Sequence, residues 1–223
     1  DNIEKLNNFF VFSIYQTESE MKLLSHNILL IIDTRPQKII ILINFIQYLT
    51  NSTSYKNLPE LIFFEIIKTE ATCSRLFFLY QLLRANLIPE DLILAHIQSC
   101  NYFSWFAPLI EEKNLELFEY FMNQNDENLL ISCSKSMKDD KWKLHKQYAS
   151  EGMNHNEVAA LIRDDDIEKL REISDFDMNI SLPMSPFESI DILNHGCTPL
   201  HYAIYFNSEK CYDDMLENGA SPF

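Results

Sequence analysis

The sequence predicts an all-α chain in which irregular helical repeats lead into a solenoid of stacked helix pairs. Three observations carry that prediction. Apolar residues recur at helical spacing along nearly the whole of the 223 residues, in runs longer than ordinary strands. There are only three glycines, Gly152, Gly196 and Gly219, which leaves little material for β-turns or phosphate-cradling loops. The eight prolines sit mostly between apolar runs, where a helix start tolerates them. Many of the apolar residues are β-branched, which by propensity alone favours strands; spacing, run length and proline placement outweigh it.

The elements follow in order. Residues 2–16 carry a loose stripe of Ile3, Leu6, Phe9, Phe10, Phe12 and Ile14. The spacing predicts a helix over 18–32, with Met21, Leu24, Ile28, Leu29 and Ile32 inward, and a third from Pro36 to Leu49. After the polar loop 51–54, Leu58-Pro59-Glu60 opens a helix through Ile67, with 73–85 as its partner. From Pro89 the rhythm shortens to helix, turn, helix: 89–99, 103–111 and 114–122, then 129–136 with 142–148, then 156–163 with 166–173. This divides the chain into a helical N-terminal region (1–88), irregular helix pairs (89–155) and a repeat region (156–223). Within the last, residues 174–196 form a long connector, because Pro183, Pro186 and mixed polarity exclude a helix over most of it. Long ordered connectors are more often functional than short ones, and this one reads equally as a functional element or as a family-specific structural insertion.

Composition narrows the function. The chain is 47% hydrophobic and 13% aromatic, the balance of a packed protein. A formal charge of −15 argues against nucleic acid and anionic membranes, since neither phosphate neutralisation nor polybasic anchoring is available. The apolar runs 28–32 and 39–46 are far short of the ~18 residues of a membrane span. Five scattered cysteines without Cys-x-x-Cys spacing fit a reduced, cytoplasmic setting. His195, Cys197, His201 and Cys211 do not make a four-ligand zinc spacing, and no cofactor motif or nucleophile–histidine arrangement occurs. Asp164-Asp165-Asp166 reads as helix capping rather than a cation site. The one basic aromatic cluster, Lys135 to Lys146 around Trp142, reads as a solvated face with the tryptophan inward.

The most specific stretch is Gly196-Cys197-Thr198-Pro199-Leu200-His201-Tyr202-Ala203, followed by a break at Phe206-Asn207, a helix over 208–217 and Gly219. Thr198 is placed to cap a helix, Pro199 to take its first position, and Ala203 to let a neighbouring helix approach. Leu200, Ala203 and Ile204 fall on one face, and Cys211, Met215 and Leu216 on the inner face of the next helix. Gly219 suits the left-handed residue beyond a helix end. Thr-Pro-Leu-His-x-Ala is the sequence cue of the ankyrin repeat, and 198–219 resembles one without insertion or deletion. Ile204 replaces the usual second alanine and Asn207 the usual turn glycine.

With 162–170, 176–180 and 186–188, this stretch is similar to the divergent ankyrin-repeat proteins expanded in trichomonads and related protists, which carry an ankyrin-associated domain of unknown function. The resemblance implies an ankyrin-repeat α-solenoid, with further repeats following C-terminally. By analogy with ankyrin architecture the expected role is a protein–protein interaction module, a scaffold or adaptor, and the missing motifs lead to the expectation of no catalytic activity, metal or cofactor of its own. The alternatives are a fixed structural subunit of a large cytoskeletal-type assembly and the non-catalytic part of an ankyrin-bearing effector enzyme. The partner is a protein whose identity the sequence does not name, with no nucleic acid and no membrane insertion. Inner positions Val158, Leu161, Leu170, Leu200, Ala203, Cys211 and Met215 are expected to stack. Partner readers are expected among Asp175, Asp177, Phe187, Glu188, Asp191, His195 and Tyr202, on the connector and the exposed helix row.

Overall fold

The computed structural model describes residues 17–51, 55–69, 72–97, 99–123, 129–138, 140–174 and 176–221. The helix expected over residues 2–16 lies outside them. Among the described residues every regular element is helical and there is no strand. The chain divides into two compact units, residues 1–150 and 151–223.

In the first unit α1 (Glu18–Thr34) opens with a capping box: Thr17 accepts from Glu20 N, and the Glu20 carboxylate accepts from Thr17 N at 2.8 Å. A 3₁₀ turn at Pro36–Lys38 leads into α2 (Ile39–Thr50), followed by α3 (Leu58–Ile67) and α4 (Cys73–Arg84). Helix α1 packs on α3 and α4. Its stripe of Met21, Leu24, Ile28, Leu29 and Ile32 is buried, as the spacing predicts. A forked ion pair ties α4 to α1: Arg75 Nε and Nη2 donate to the two Asp33 oxygens at 2.9 and 2.6 Å.

The arm expected over 89–99 is shorter, since α5 covers only Glu90–Leu94. The His96 ring hydrogen-bonds through Nδ1 to the Leu92 carbonyl (2.8 Å), the acceptor a continuing helix would offer to the His96 N–H. Helices α6 (Cys100–Lys113), α7 (Leu115–Met122), α8 (Leu129–Lys138) and α9 (Lys143–Glu151) complete the first unit's series. Helix α4 packs on α6, so elements on either side of residue 88 share one unit. Phe103, Phe118, Phe121 and Trp142 form an aromatic layer between α6, α7 and the start of α9. The Trp142 indole is inward and donates to Glu111 at 2.6 Å, while Lys138 pairs with the same carboxylate and lies over the Phe118 ring. Buried His145 takes the Ser104 carbonyl through Nε2 at 2.6 Å, joining α9 to α6; burial pushes its imidazole down to about 4.

The second unit contains two helix pairs. The first is α10 (Glu157–Arg163) with α11 (Ile167–Glu172), and the second is α12 (Pro199–Phe206) with α13 (Glu209–Glu217). Helix α10 packs on α12 and α11 on α13, so the pairs stack first helix on first and second on second. Their N-caps, Asn156 and Thr198, are 42 residues apart, against about 33 for an uninterrupted ankyrin period. The excess lies in the connector. No described helix is long and apolar enough to cross a membrane.

Candidate functional site

The repeat motif forms the local structure its residues prescribe. Thr198 is extended and caps α12: its hydroxyl accepts from His201 N and lies 2.8 Å from His201 Nδ1. Pro199 takes the first helical position, and Leu200 and Ala203 are fully buried against the other pair. Asn207 ends α12 in the left-handed region (φ 57°), a conformation asparagine tolerates, and Gly219 does the same after α13 (φ 93°). Asp166 caps α11. Asp165 reaches across to the other pair, accepting from Cys211 N at 3.0 Å and Lys210 N at 3.3 Å, and so caps α13. Burial pushes the Asp165 carboxyl up, but these backbone donors outweigh it and hold it below its ordinary value.

The connector is a built structure. Leu182 N donates to Cys197 O, while Ser185 and Asn194 exchange a reciprocal pair of bonds (2.9 Å each), so its two arms run side by side. At its centre the Glu188 carboxylate is wholly buried and accepts from Asn154 N, Ile190 N and Tyr202 OH, all at 3.1 Å. Arg163 Nη1 donates to the Tyr202 oxygen at 2.9 Å and also to Asn154 O. Asn154 Nδ2 holds the Pro183 carbonyl at 2.8 Å. Burial raises the Glu188 carboxyl above the usual range, opposed by its three donors and the Arg163 charge. It likewise raises the Tyr202 phenol.

This network corrects part of the expected reader set. Phe187 (2% exposed), Glu188 and Tyr202 (both 0%) are interior, because the connector folds back onto α10 and α12 and needs them to fill and satisfy the seam. Asp191 is half-buried. Asp177 and His195 are exposed; Asp177 accepts from Asn179 N in an Asx turn. Asp175 lies outside the described residues.

Two expected inner positions also differ. Ile204 is 56% exposed and Leu216 is exposed, whereas Cys211 and Met215 are fully buried by the unit itself. Val158 and Leu161 are half-buried, with Ala159 and Ile162 taking the deepest positions of α10. Sequence reasoning missed Asn154, Arg163 and Asn194, which hold the connector, and the apolar side chains it displays, Ile180, Met184 and Ile192. It also missed a groove of about 480 Å³ between the end of α12 and the start of α13, lined by Ala203, Ile204, Ser208, Glu209, Tyr212 and Asp213. The spacing of Glu209, Tyr212 and Asp213 at i, i+3 and i+4 was the available signal.

The site is unsuited to thiol chemistry. Burial pushes the Cys197 thiol up to about 11 and the Cys211 thiol up to about 12, so neither supplies a thiolate near neutral pH. Among the described residues no group of three His, Cys, Asp or Glu side chains is arranged to hold a metal ion.

Residues 195–223 match the family model of the ankyrin repeat. Neither the curated proteins nor the solved structures yield a match.

Proposed function

We propose that residues 151–223 form a non-catalytic protein-interaction module of ankyrin type, acting as a scaffold or adaptor, with the connector as its principal contact surface. The observation supporting this most directly is that a connector far longer than the repeat requires is locked from beneath by Glu188, Tyr202, Arg163 and Asn154 while its outer side chains stay free. Ile180 (64% exposed), Met184 and Ile192 (75%) are exposed on the connector, as are Asp177 and His195. A rigid loop showing separate aliphatic side chains suits protein recognition, because little ordering entropy is lost on binding. The ankyrin match extends over the second helix pair and supports the same reading, since arrays of this kind recognise proteins. The likeness to the divergent protist repeats and a reducing, cytoplasmic setting, consistent with five unbridged cysteines, belong to the same proposal.

The test is affinity capture with the intact chain and with an Ile180→Asp/Met184→Asp/Ile192→Asp variant. The reading expects the variant to keep its circular dichroism melting curve and to lose the captured protein. Unchanged capture by the variant, at the same loading, overturns the connector as the contact surface.

A further inference from the structure

Formal charge is distributed very unevenly along the chain. Residues 151–223 carry 15 of the 33 acidic residues and only four of the 18 basic ones, and therefore −11 of the total −15. The few cations are engaged inside the unit. Arg163 serves the Glu188 network, Lys169 pairs with Asp166, and Arg171 pairs with Asp214. The charge of Lys210 falls on Asp165 and Asp166. None of them forms an ion pair with Glu209 or Asp213, which stand one turn apart on the rim of the α12–α13 groove.

The floor of that groove supplies an independent observation. Ser208 occupies the N-cap position of α13, where a serine hydroxyl ordinarily accepts from the first turn. Asp165 has taken those donors. Ser208, 2% exposed, is among the residues lining the groove, and its buried Oγ lacks a hydrogen-bond partner among the described residues. A buried hydroxyl without a partner is destabilising, and a ligand N–H reaching it would relieve that. The wall is apolar, formed by exposed Ile204 and half-buried Tyr212. Apolar wall, orphan acceptor and two unpaired carboxylates together suit a side chain with an aliphatic stem and a cationic head.

We propose that the α12–α13 groove docks a lysine- or arginine-bearing, partly apolar segment of the protein partner: Glu209 and Asp213 take the cation, Ile204 and Tyr212 the stem, and Ser208 Oγ accepts one N–H. The assignment rests on the interaction-module reading and names the chemistry of the partner. A neutral helix packed here would instead bury two carboxylates with no cation to meet them, which is costly.

The experiment titrates a fluorescent 14-residue peptide of alternating leucine and lysine pairs into the intact chain at physiological salt, following anisotropy. Charge reversal at the groove (Glu209→Lys/Asp213→Lys) is expected to weaken binding by about tenfold or more. An equal reversal on exposed α11 positions (Glu168→Lys/Glu172→Lys) should change it by less than about twofold. Ser208→Ala, which removes only the orphan hydroxyl, should weaken binding by about threefold to tenfold with no fall in melting temperature. Equal losses at both charge-reversed sites would mean diffuse attraction and overturn the assignment. So would chains that pair through Ile204 in sedimentation, or a longer natural form whose residues 204–213 are already protected from hydrogen exchange without peptide. If a captured natural partner is lost in the connector variant yet unaffected by Glu209→Lys/Asp213→Lys, the groove assignment fails and the module stands. If no protein partner is captured at all, both fail.

Discussion

At the scale of single residues, the Glu188–Tyr202 contact decides what the connector is. Tyr202 OH donates to a buried carboxylate and accepts from Arg163, so Tyr202→Phe takes one hydrogen bond from each group at once, leaving Glu188 its two backbone donors and Arg163 the Asn154 carbonyl. The expected cost is about 1–3 kcal/mol, read as a lower urea midpoint by circular dichroism. Glu188→Gln should also destabilise. Two carboxylate oxygens that now accept three hydrogen bonds would become one oxygen and one NH₂, setting a donor against at least one donor. Phe187→Ala removes a buried ring and should cost about 3–5 kcal/mol. A midpoint that stays put in all three variants would show that the connector is not held from within. Loss of partner capture in these variants would therefore report damage to the scaffold, whereas loss in the Ile180, Met184 and Ile192 variant reports the contact itself.

At the scale of elements, the two helix pairs are bound by a cap exchanged between them. Asp165, in the left-handed region (φ 51°), leaves its own pair to satisfy the first turn of α13. Asp165→Ala should cost about 1 kcal/mol from the lost cap, with further strain from placing alanine at that φ. Asp165→Asn keeps one acceptor and tolerates the backbone, so it should retain most of the stability; equal urea midpoints for the two variants would remove Asp165 from this role. What was legible in the sequence follows the range of the interaction. Thr198, Pro199, Asn207 and Gly219 act within a few residues of themselves, and the helices they bound appear where the pattern puts them. The apolar stripe of α1 was equally readable, because helical spacing alone fixes which face is buried. Asn154 with Pro183, Glu188 with Tyr202 and Asp165 with Cys211 act across 14 to 46 positions of chain, and no local pattern encodes those meetings. Phe187, Glu188 and Tyr202 therefore look in sequence like residues free to read a partner, and only the folded connector shows them committed. Ser208 stands at the N-cap of α13, but Asp165, 43 residues earlier in the chain, has taken the cap's task.

At the scale of the whole molecule, one buried group in each unit links stability to pH, and the two do so with opposite sign: His145 in the first and Glu188 in the second. In residues 1–150 the group that matters near neutrality is His145, whose folded value of about 4 lies below its ordinary 6.5. The unfolded chain then binds a proton more readily than the folded one, so the stability of this unit is full above about pH 6.5 and declines as pH falls towards 4. Between pH 7 and pH 5 the loss is about 2 kcal/mol. In residues 151–223 the shift is reversed, since Glu188 holds its proton to higher pH folded than unfolded. Its contribution is largest below the ordinary carboxylate value of 4.5 and declines as pH rises through its raised folded value, while the −11 charge adds self-repulsion that acid relieves. The sequence supplies a probe that separates the two, because both tryptophans, Trp105 and Trp142, lie in 1–150. Urea unfolding followed by tryptophan fluorescence should therefore show a lower midpoint at pH 5 than at pH 7, and His145→Gln should flatten that dependence. Hydrogen exchange in 199–217, corrected for the intrinsic pH effect, should show protection unchanged or increased over the same interval. If the fluorescence midpoint is independent of pH in the parent chain, His145 is not the buried neutral imidazole that joins α9 to α6.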